Sequence, residues 1–147
     1  MKPEDFIPHR PPFLLVDEIV EITEAGIRTR KLVHAADPIF QGHFPGYPLM
    51  PGVLVCEAIV QSGAILIAHR EPGGIGARVP VLTRLNNAKF KHKIEPGSTI
   101  EMEATLKERL ANAYFMQGSA RVNGKLAVSL EFAFTTVDAS ADKDAAR

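Results

Sequence analysis

The stretch QGHFPGYPLMPGVLVCEAIVQSGAILIAH, residues 41–69, decides the fold, because a loop rich in proline and glycine runs directly into an apolar helix. Pro51 and Gly52 stand at the junction, where proline is favoured because the start of a helix leaves its N–H groups unpaired anyway. Between Val53 and His69 the apolar residues surround the helix axis instead of forming one stripe, which indicates a helix buried on all sides. Such a helix is about 26 Å long, at a rise of about 1.5 Å per residue.

The rest of the chain shows the short apolar and alternating runs that are typical of β-strands. Segments 13–22 and 26–35 are predicted to form a first β-hairpin ahead of the loop. After the helix, a long antiparallel meander is predicted over residues 79–94, 99–110, 113–122 and 125–137. Asn123-Gly124, between the last two strands, is a strong hairpin signal. The predicted fold class is therefore α+β, with one curved antiparallel sheet wrapped around one long central helix.

A sheet of this kind covers a single helix on only part of its circumference. A second copy of the chain is expected to cover the remainder, which predicts a homodimer. The length of 147 residues suits one compact domain. We assign residues 1–138 to that domain and expect residues 139–147 to form a disordered tail.

Composition and charge exclude several classes of protein. Seventeen basic residues balance seventeen acidic ones, so no global charge favours binding to nucleic acid or to a membrane surface. The apolar stretch 53–68 is interrupted by Glu57, Gln61 and Ser62, and it is shorter than the ~20 residues that a bilayer requires. The N-terminus lacks the apolar core of a secretory signal, and Cys56 is the single cysteine, as suits a reducing compartment. A cytoplasmic location is expected.

Glu57 is the residue of the helix that most requires a functional explanation. An ionised carboxylate is costly to bury without a partner, so burial should raise the pKa of Glu57 and favour the protonated acid. Gln61, four residues further on, lies on the same helix face and can hydrogen-bond this carboxyl. His43, in the rigid loop, can serve as a base beside the acid. The free backbone N–H of Gly52 at the positive end of the helix can polarise a carbonyl oxygen.

A base, an acid and an oxyanion donor suit one reaction class, the removal of a proton next to a carbonyl with expulsion of a β-hydroxyl group. This reaction requires no metal and no other cofactor. The remaining histidines show no paired metal-ligand spacing and are interpreted as structural or exposed: His9, His34, His69 and His92. His9-Arg10 is also a candidate for ordering the N-terminal segment over the loop. Cys56 is interpreted as a small buried hydrophobe.

HFPGYPLMPGVL at 43–54, followed by CEAIVQ at 56–61, resembles the signature of the (3R)-hydroxyacyl-acyl-carrier-protein dehydratases of bacterial fatty-acid synthesis, the FabZ type. PHRPPFLLVDEIVEI at 8–22 and AKFKHKIEPG at 88–97 are similar to other segments of that family, so the resemblance covers nearly the whole chain. It implies the hotdog fold and a cofactor-free enzyme. The implied reaction is dehydration of 3-hydroxyacyl groups on acyl-carrier protein to trans-2-enoyl thioesters.

The resemblance also implies a role for each residue. His43 would remove the α-proton, Glu57 would assist departure of the β-hydroxyl as water, and the N–H of Gly52 would bind the thioester oxygen. The neighbouring candidates for oxyanion and substrate binding are Gln61, Phe44 and Pro51. Dimers of this family build each site from two subunits, so His43 would meet the partner's Glu57. Relatives are often trimers of dimers, so a hexamer is a further expectation.

Basic residues alternate along the segment 88–93, and the resemblance implies that they form a docking patch for the acidic carrier protein. The candidate docking residues are Arg84, Lys89, Lys91 and Lys93. By charge alone, the same residues are a solvated strand face. Three other functions stay open: an acyl thioesterase in which His43 would be dispensable, a dehydratase of another acyl or polyketide pathway, and a protein that binds acyl thioesters without turnover.

Overall fold

A computed structural model describes residues 1–139, so the predicted tail lies outside the described residues except for Ala139. One long helix, α1 (Gly52–Arg70), follows a β-hairpin and precedes four long strands. In chain order the strands are β1 (Glu18–Ile22), β2 (Ile27–Leu32), β3 (Arg78–Phe90), β4 (Thr99–Leu110), β5 (Ala113–Val122) and β6 (Lys125–Asp138). Short 3₁₀ helices occur at Pro3–Asp5 and Pro38–Gln41.

Helix α1 forms the core of the molecule, as its apolar pattern predicts. Apart from Glu57, every residue from Val55 to Ala68 is buried. By length and composition the helix could span a bilayer, but 72% of its 18-residue apolar window is buried inside the fold. It therefore packs as the core helix of a domain. It begins at Gly52 and ends at Arg70, one residue beyond the prediction at each end.

The strands of residues 1–139 form one six-stranded antiparallel sheet in the order β1-β2-β4-β5-β6-β3. The prediction of a continuous meander is therefore wrong at β3, which pairs with β6 at the far edge instead of with β4. The reason lies in the connection 91–98. The carbonyl of Ile94 accepts a hydrogen bond from Met50 N–H at 2.8 Å, and Val33 exchanges two backbone hydrogen bonds with residues 97–98. These bonds turn the chain away from β3 and lead it into β4 beside β2.

Both predicted hairpins form. At the turn between β5 and β6, Asn123 and Gly124 have φ values of 52° and 78°, the left-handed conformation that this two-residue turn requires. Strands β1 and β2 also pair in the antiparallel direction, but β1 begins at Glu18 instead of Phe13. The first hairpin is therefore shorter than predicted.

Residues 13–15 are not a strand because a side chain of the helix satisfies their backbone. The side-chain amide of Gln61 accepts a hydrogen bond from Leu15 N–H at 2.8 Å. The same amide donates to the Phe13 carbonyl at 2.9 Å. The N-terminal segment, residues 3–16, therefore lies against α1 instead of extending the sheet.

Helix α1 leaves the inner face of β3 partly uncovered. Leu82 and Leu85 pair with the buried Phe134 and Phe132 of β6, so they lie on the core side of the sheet, yet they are 42% and 44% exposed. Phe90, at the end of β3, is 54% exposed, and Val53 in the first turn of α1 is 70% exposed. Strand β3 also ends the sheet, so one edge of its backbone pairs with no other strand among residues 1–139. A second copy that covers this face stays a prediction.

Candidate active site

The loop that precedes α1 holds His43 between backbone hydrogen bonds. The N–H of His43 donates to the Ile39 carbonyl at 3.1 Å, and Phe44 and Tyr47 exchange backbone hydrogen bonds of 2.9 and 2.8 Å. The peptide bond between His43 and Phe44 is cis. The Phe44 ring stacks on the imidazole, with 4.0 Å between the ring centroids. The imidazole is therefore positioned by its own loop.

The contact of His43 Nδ1 assigns the proton of the neutral ring. Nδ1 lies 2.8 Å from the carbonyl oxygen of Leu49. A carbonyl oxygen only accepts hydrogen bonds, so we assign the proton to Nδ1. Nε2 then carries the free lone pair, which is the state that a general base requires.

Glu57 projects from α1 toward the N-terminal segment. Its side chain is 23% exposed. Burial raises the pKa of its carboxyl, while the hydrogen bond donated by Gln61 acts in the opposite direction. Nε2 of Gln61 lies 2.9 Å from Oε2 of Glu57. The upward direction agrees with the expectation from sequence, so this position favours the protonated acid.

Gln61 is fully buried and uses its whole side-chain amide in internal hydrogen bonds. Oε1 accepts from Leu15 N–H, and Nε2 donates to the Phe13 carbonyl and to Glu57 Oε2. The contact with Glu57 follows from the four-residue helical spacing. Because its polar atoms are occupied in this way, we interpret Gln61 as a residue that positions the carboxyl and the N-terminal segment.

His9 lies beside the carboxyl of Glu57, although sequence reasoning assigns it no place there. Its Nε2 is 3.8 Å from Oε2 of Glu57. Its ring stacks with that of Phe13, with 6.4 Å between the centroids. The two residues are far apart in the chain, and they meet because Gln61 ties residues 13–15 to the helix. The one sequence signal for this role is the place of His9 in the segment PHRPPFLLV.

A cavity of about 120 Å³ opens beside Glu57. Its polar lining comes from His9 and Gln61 together with the carboxyl itself. The apolar part of the lining includes Val60, Ala64, Leu82 and Phe134. The acid therefore faces a space in which the carbon atoms of an acyl group can lie.

The start of α1 presents free backbone donors. The N–H groups of Leu54 and Val55 donate to the carbonyl of Pro51, which is buried, at 3.0 and 3.2 Å. Within residues 1–139, the N–H groups of Gly52 and Val53 have no acceptor. The helix dipole adds partial positive charge at this end. Both features suit binding of a polarised carbonyl oxygen.

Gly52 is packed closely against Phe90. A Cβ atom at position 52 would lie 2.7 Å from two carbons of the Phe90 ring. Phe90 therefore occupies the side of Gly52 on which a larger residue would carry its side chain, so this position requires glycine. A cleft of about 340 Å³ runs past the same point, and Lys91 and Lys93 contribute to its lining.

Within one chain the predicted base and acid do not meet. Nδ1 of His43 is bonded to Leu49, whereas the carboxyl of Glu57 contacts Gln61 and His9. No hydrogen bond or ion pair joins His43 to Glu57 in the part of the chain that the structure describes, so their meeting across two subunits stays a prediction. The same residues include no group of three or more histidine, cysteine, aspartate or glutamate side chains that could hold a metal ion.

The four candidate docking residues lie on β3 or directly after it. Arg84 and Lys89 are exposed on the strand, and Lys91 and Lys93 line the cleft beside Gly52. Lys93 Nζ donates a 2.8 Å hydrogen bond to the Tyr47 hydroxyl, which raises the pKa of Lys93. The cleft at the helix start therefore has a positively charged rim.

Comparison with known proteins gives a consistent result. The FabA-like domain family matches residues 7–131. The 3-hydroxyacyl-[acyl-carrier-protein] dehydratase FabZ of Clostridium perfringens is 40% identical over 131 residues, which cover 89% of this chain and 93% of that protein. FabZ of Chloroflexus aggregans is 44% identical over 134 residues, covering 90% and 91%. The solved dehydratase heterocomplex ApeI:P from Xenorhabdus doucetiae contains a chain of similar structure, with a TM-score of 0.82, 12% identity, and coverage of 95% of this chain and 93% of that one.

One long helix enclosed by a six-stranded antiparallel sheet, together with the structural likeness to that complex, defines a protein of the hotdog fold. This confirms the predicted fold class. The family follows from the sequence matches over most of the chain. The chain belongs to the FabA-like family and, within it, to the FabZ-type 3-hydroxyacyl-[acyl-carrier-protein] dehydratases.

Proposed function

We propose that the protein dehydrates (3R)-3-hydroxyacyl groups on acyl-carrier protein to trans-2-enoyl thioesters in fatty-acid biosynthesis. The observation that carries the proposal is the state of Glu57. Its carboxyl is mostly buried, is held by a neutral amide, faces a largely apolar cavity and has a raised pKa. A raised pKa favours the protonated form of this carboxyl, and in the proposed reaction that form gives its proton to a leaving hydroxyl group.

In the proposed reaction, Nε2 of His43 takes the proton from the carbon next to the thioester carbonyl. The electron pair of that C–H bond moves toward the carbonyl oxygen, whose negative charge the N–H of Gly52 stabilises. The bond between the β-carbon and its hydroxyl oxygen then breaks as the C=C double bond forms, and the oxygen leaves as water with the proton of Glu57. His43 ends protonated and Glu57 ionised. Proton exchange with solvent restores both groups.

The active form in this proposal is a homodimer with shared sites. This follows from the separation of His43 and Glu57 within one chain, where they bond to different residues. The base therefore needs an acid, and the acid a base, from a second chain. Apolar side chains on the inner face of β3 and Val53 are exposed in a single chain. Phe44, which stacks on His43, is also 47% exposed. A second copy that covers these surfaces would bring His43 to the partner's Glu57. Assembly into a hexamer remains a further proposal.

The acidic carrier protein is proposed to dock on the basic rim. A carrier bound beside Lys91 and Lys93 would hold its thioester arm next to the free N–H of Gly52. Arg84 and Lys89 on β3 would extend the contact. The proposal includes a cytoplasmic location for this encounter.

A thioesterase mechanism is less compatible with the site. In that mechanism Glu57 must be ionised to take a proton from water, whereas its burial raises its pKa and favours the protonated form. The free His43 Nε2 would also have no role. The state of the two side chains therefore favours dehydration.

The direct test is mass spectrometry of trans-2-enoyl-acyl-carrier protein incubated with the wild-type protein, since the reaction is reversible. Gain of one water is expected with the wild type, and we expect Glu57→Gln to lower this rate by roughly 10²–10⁴-fold. Release of free carrier thiol would instead indicate a thioesterase. An unchanged acyl group on both acyl-carrier protein and coenzyme A would contradict the proposed activity.

The shared site has its own test, because the two inactive variants are defective in different halves. Unfolding and refolding a mixture of His43→Ala and Glu57→Gln should form hybrid dimers with one intact site, so part of the activity should return. Each variant refolded alone is the control. Recovery no greater than these controls would show that the site is built within one chain.

A further inference from the structure

His9 is a second histidine at the candidate site, and it belongs to the same chain as Glu57. Its Nε2 lies 3.8 Å from Glu57 Oε2, and its side chain is 20% exposed. The other ring nitrogen, Nδ1, is fully buried and has no hydrogen-bond partner among residues 1–139. The proposed mechanism uses neither nitrogen.

The buried Nδ1 decides the protonation state of His9. A charged imidazolium carries an N–H on both nitrogens, and a buried N–H without an acceptor is strongly unfavourable. The neutral ring with its proton on Nε2 avoids this, because the bare Nδ1 then needs no acceptor. Burial and the neighbouring charge of Arg10 both lower the pKa of His9, in the same direction. Both observations favour the neutral ring with its proton on Nε2, the nitrogen that lies 3.8 Å from Glu57 Oε2.

The two oxygens of Glu57 have different surroundings. Oε2 accepts the 2.9 Å hydrogen bond from Gln61 Nε2 and also faces His9 Nε2. Because the hydrogen bond from Gln61 reaches Oε2 and His9 lies on the same side, we assign the acidic proton of Glu57 to the other oxygen, Oε1. Oε1 is then the atom that gives its proton to the leaving hydroxyl.

We propose that His9 is a positioning residue for the dehydration reaction, which donates its Nε2–H to Oε2 of Glu57 and so stabilises the carboxylate formed when Oε1 loses its proton. This inference rests on the proposed function. The proton of Glu57 goes to the departing oxygen, and none passes to or from His9. The 3.8 Å separation is longer than a hydrogen bond, and such catalytic contacts tighten in the loaded site.

The N-terminal segment holds His9 in this place from both sides. The guanidinium of Arg10 donates to the carbonyls of Ile7 and His9 at 2.8 and 2.7 Å. On the other side the ring stacks with Phe13, whose carbonyl accepts a hydrogen bond from Gln61. The imidazole is thus fixed relative to the same amide that holds Glu57.

The test compares two substitutions at position 9. His9→Phe keeps an aromatic ring against Phe13 but removes the N–H, whereas His9→Gln keeps an N–H donor at a similar reach. We expect His9→Phe to lower kcat for dehydration by about 10- to 100-fold, the usual worth of a hydrogen bond to a charged group, and His9→Gln to restore most of it. His34→Gln, at an exposed position, is the control for histidine loss in general.

A pH profile separates this role from a purely structural one. Dehydration requires protonated Glu57, so activity falls as the pH rises through its pKa. Loss of a donor to the carboxylate raises that pKa, so the alkaline limb in His9→Phe should move up by about one pH unit. His9→Gln should keep the wild-type limb. Equal kcat values and equal limbs in both variants would overturn the inference.

The tautomer can also be read from the wild-type protein, so a variant that fails to fold does not remove the test. The ¹⁵N shifts of His9 at neutral pH should show a neutral ring protonated on Nε2. Protonation on Nδ1, or a charged ring, would refute the inference. Failure of the proposed function itself has a different signature, namely no water addition by the wild-type protein.

Discussion

Two glutamates stand at opposite ends of the core helix, and their surroundings differ. Glu57 is near the start of α1, and Glu71 follows its last residue. Their side chains are almost equally exposed, at 23% and 25%. Glu71 Oε1 accepts hydrogen bonds from the guanidinium of Arg109 at 2.6 Å and from the Tyr114 hydroxyl at 2.9 Å. Glu57 receives a hydrogen bond from the neutral amide of Gln61.

The two glutamates differ in the charge of their partner more than in their burial, and this difference favours Glu57 as the reactive carboxyl of the proposed mechanism. A guanidinium offsets the desolvation of an ionised carboxylate, so Glu71 can serve as an ionic link between the helix end and β4 and β5. A neutral amide orients the carboxyl of Glu57 but leaves most of the desolvation in place. This difference is what the proposed mechanism requires of a carboxyl that gives its proton to a substrate.

The largest expected difference between the two glutamates is in activity, and it is tested by replacing each one with glutamine. Glu57→Gln should lower the rate of dehydration by roughly 10²–10⁴-fold, because the leaving hydroxyl loses its proton donor. Glu71→Gln should keep activity within about threefold, since its partners lie outside the site. Steady-state kinetics on a 3-hydroxyacyl-acyl-carrier protein checks both. Equal losses in the two variants would show that the difference in surroundings has no catalytic meaning.

Removing the amide beside Glu57 should have the next largest effect. Gln61→Leu leaves Leu15 N–H and the Phe13 carbonyl without a partner and removes the hydrogen bond to Glu57, so we expect the free energy of unfolding to fall by about 2–4 kcal/mol. Urea unfolding at fixed protein concentration measures this. Gln117→Leu, at an exposed position on β5, is the matched control and should stay within about 0.5 kcal/mol. A loss in Gln61→Leu no larger than in the control would contradict the positioning role.

The ionic link of Glu71 should contribute much less. Arg109 is 52% exposed, and ion pairs with an exposed partner contribute less than about 1 kcal/mol. Arg109→Ala should therefore lower the unfolding temperature by a few degrees at most, with activity unchanged, and 1 M salt should reduce the difference. Differential scanning calorimetry at two salt concentrations is the measurement. A large loss of activity would mean that the far end of α1 also serves the site.

The smallest expected effect is a pH dependence of stability that arises from Glu57. Because the folded pKa of Glu57 is raised, its contribution to stability is fully present below the unfolded value, about 4.3, and is lost as the pH rises through the folded pKa. Glutamine does not titrate. Relative to the wild type, Glu57→Gln should therefore gain thermal stability as the pH rises from 4 to 8, and differential scanning calorimetry across this range is the measurement. A constant difference between Glu57→Gln and wild type would contradict the raised pKa.

Much of the fold could be predicted because its signals are local. The bounds of α1 follow from the Pro51-Gly52 start and the apolar run, and the β5–β6 hairpin follows from Asn123-Gly124. The position of β3 could not be predicted in this way. It depends on hydrogen bonds of Met50 and Val33 with the distant segment 91–98. A turn pattern in the sequence does not tell whether the strand before the turn pairs with the strand after it.

In the candidate site, too, the features set by local sequence could be predicted and those set by distant contacts could not. The pairing of Glu57 with Gln61 follows from the helical period, and burial sets the direction of the pKa shift. The position of His9 beside Glu57 could not be predicted. It depends on hydrogen bonds between Gln61 and residues 13–15, and the composition of that segment predicts a strand instead. The meeting of His43 with a partner's Glu57 stays a prediction, since it depends on a second chain.

The hydrogen bond from Leu15 N–H to Gln61 makes one backbone amide sensitive to the state of the candidate site. The N–H proton of Leu15 can exchange with deuterium only when its hydrogen bond to Gln61 is broken. The exchange rate therefore measures how often the Gln61 side chain, which also holds Glu57, opens in the intact protein without any substrate. A substrate analogue that fills the cavity beside Glu57 should slow the exchange of this single amide before it changes the overall melting temperature.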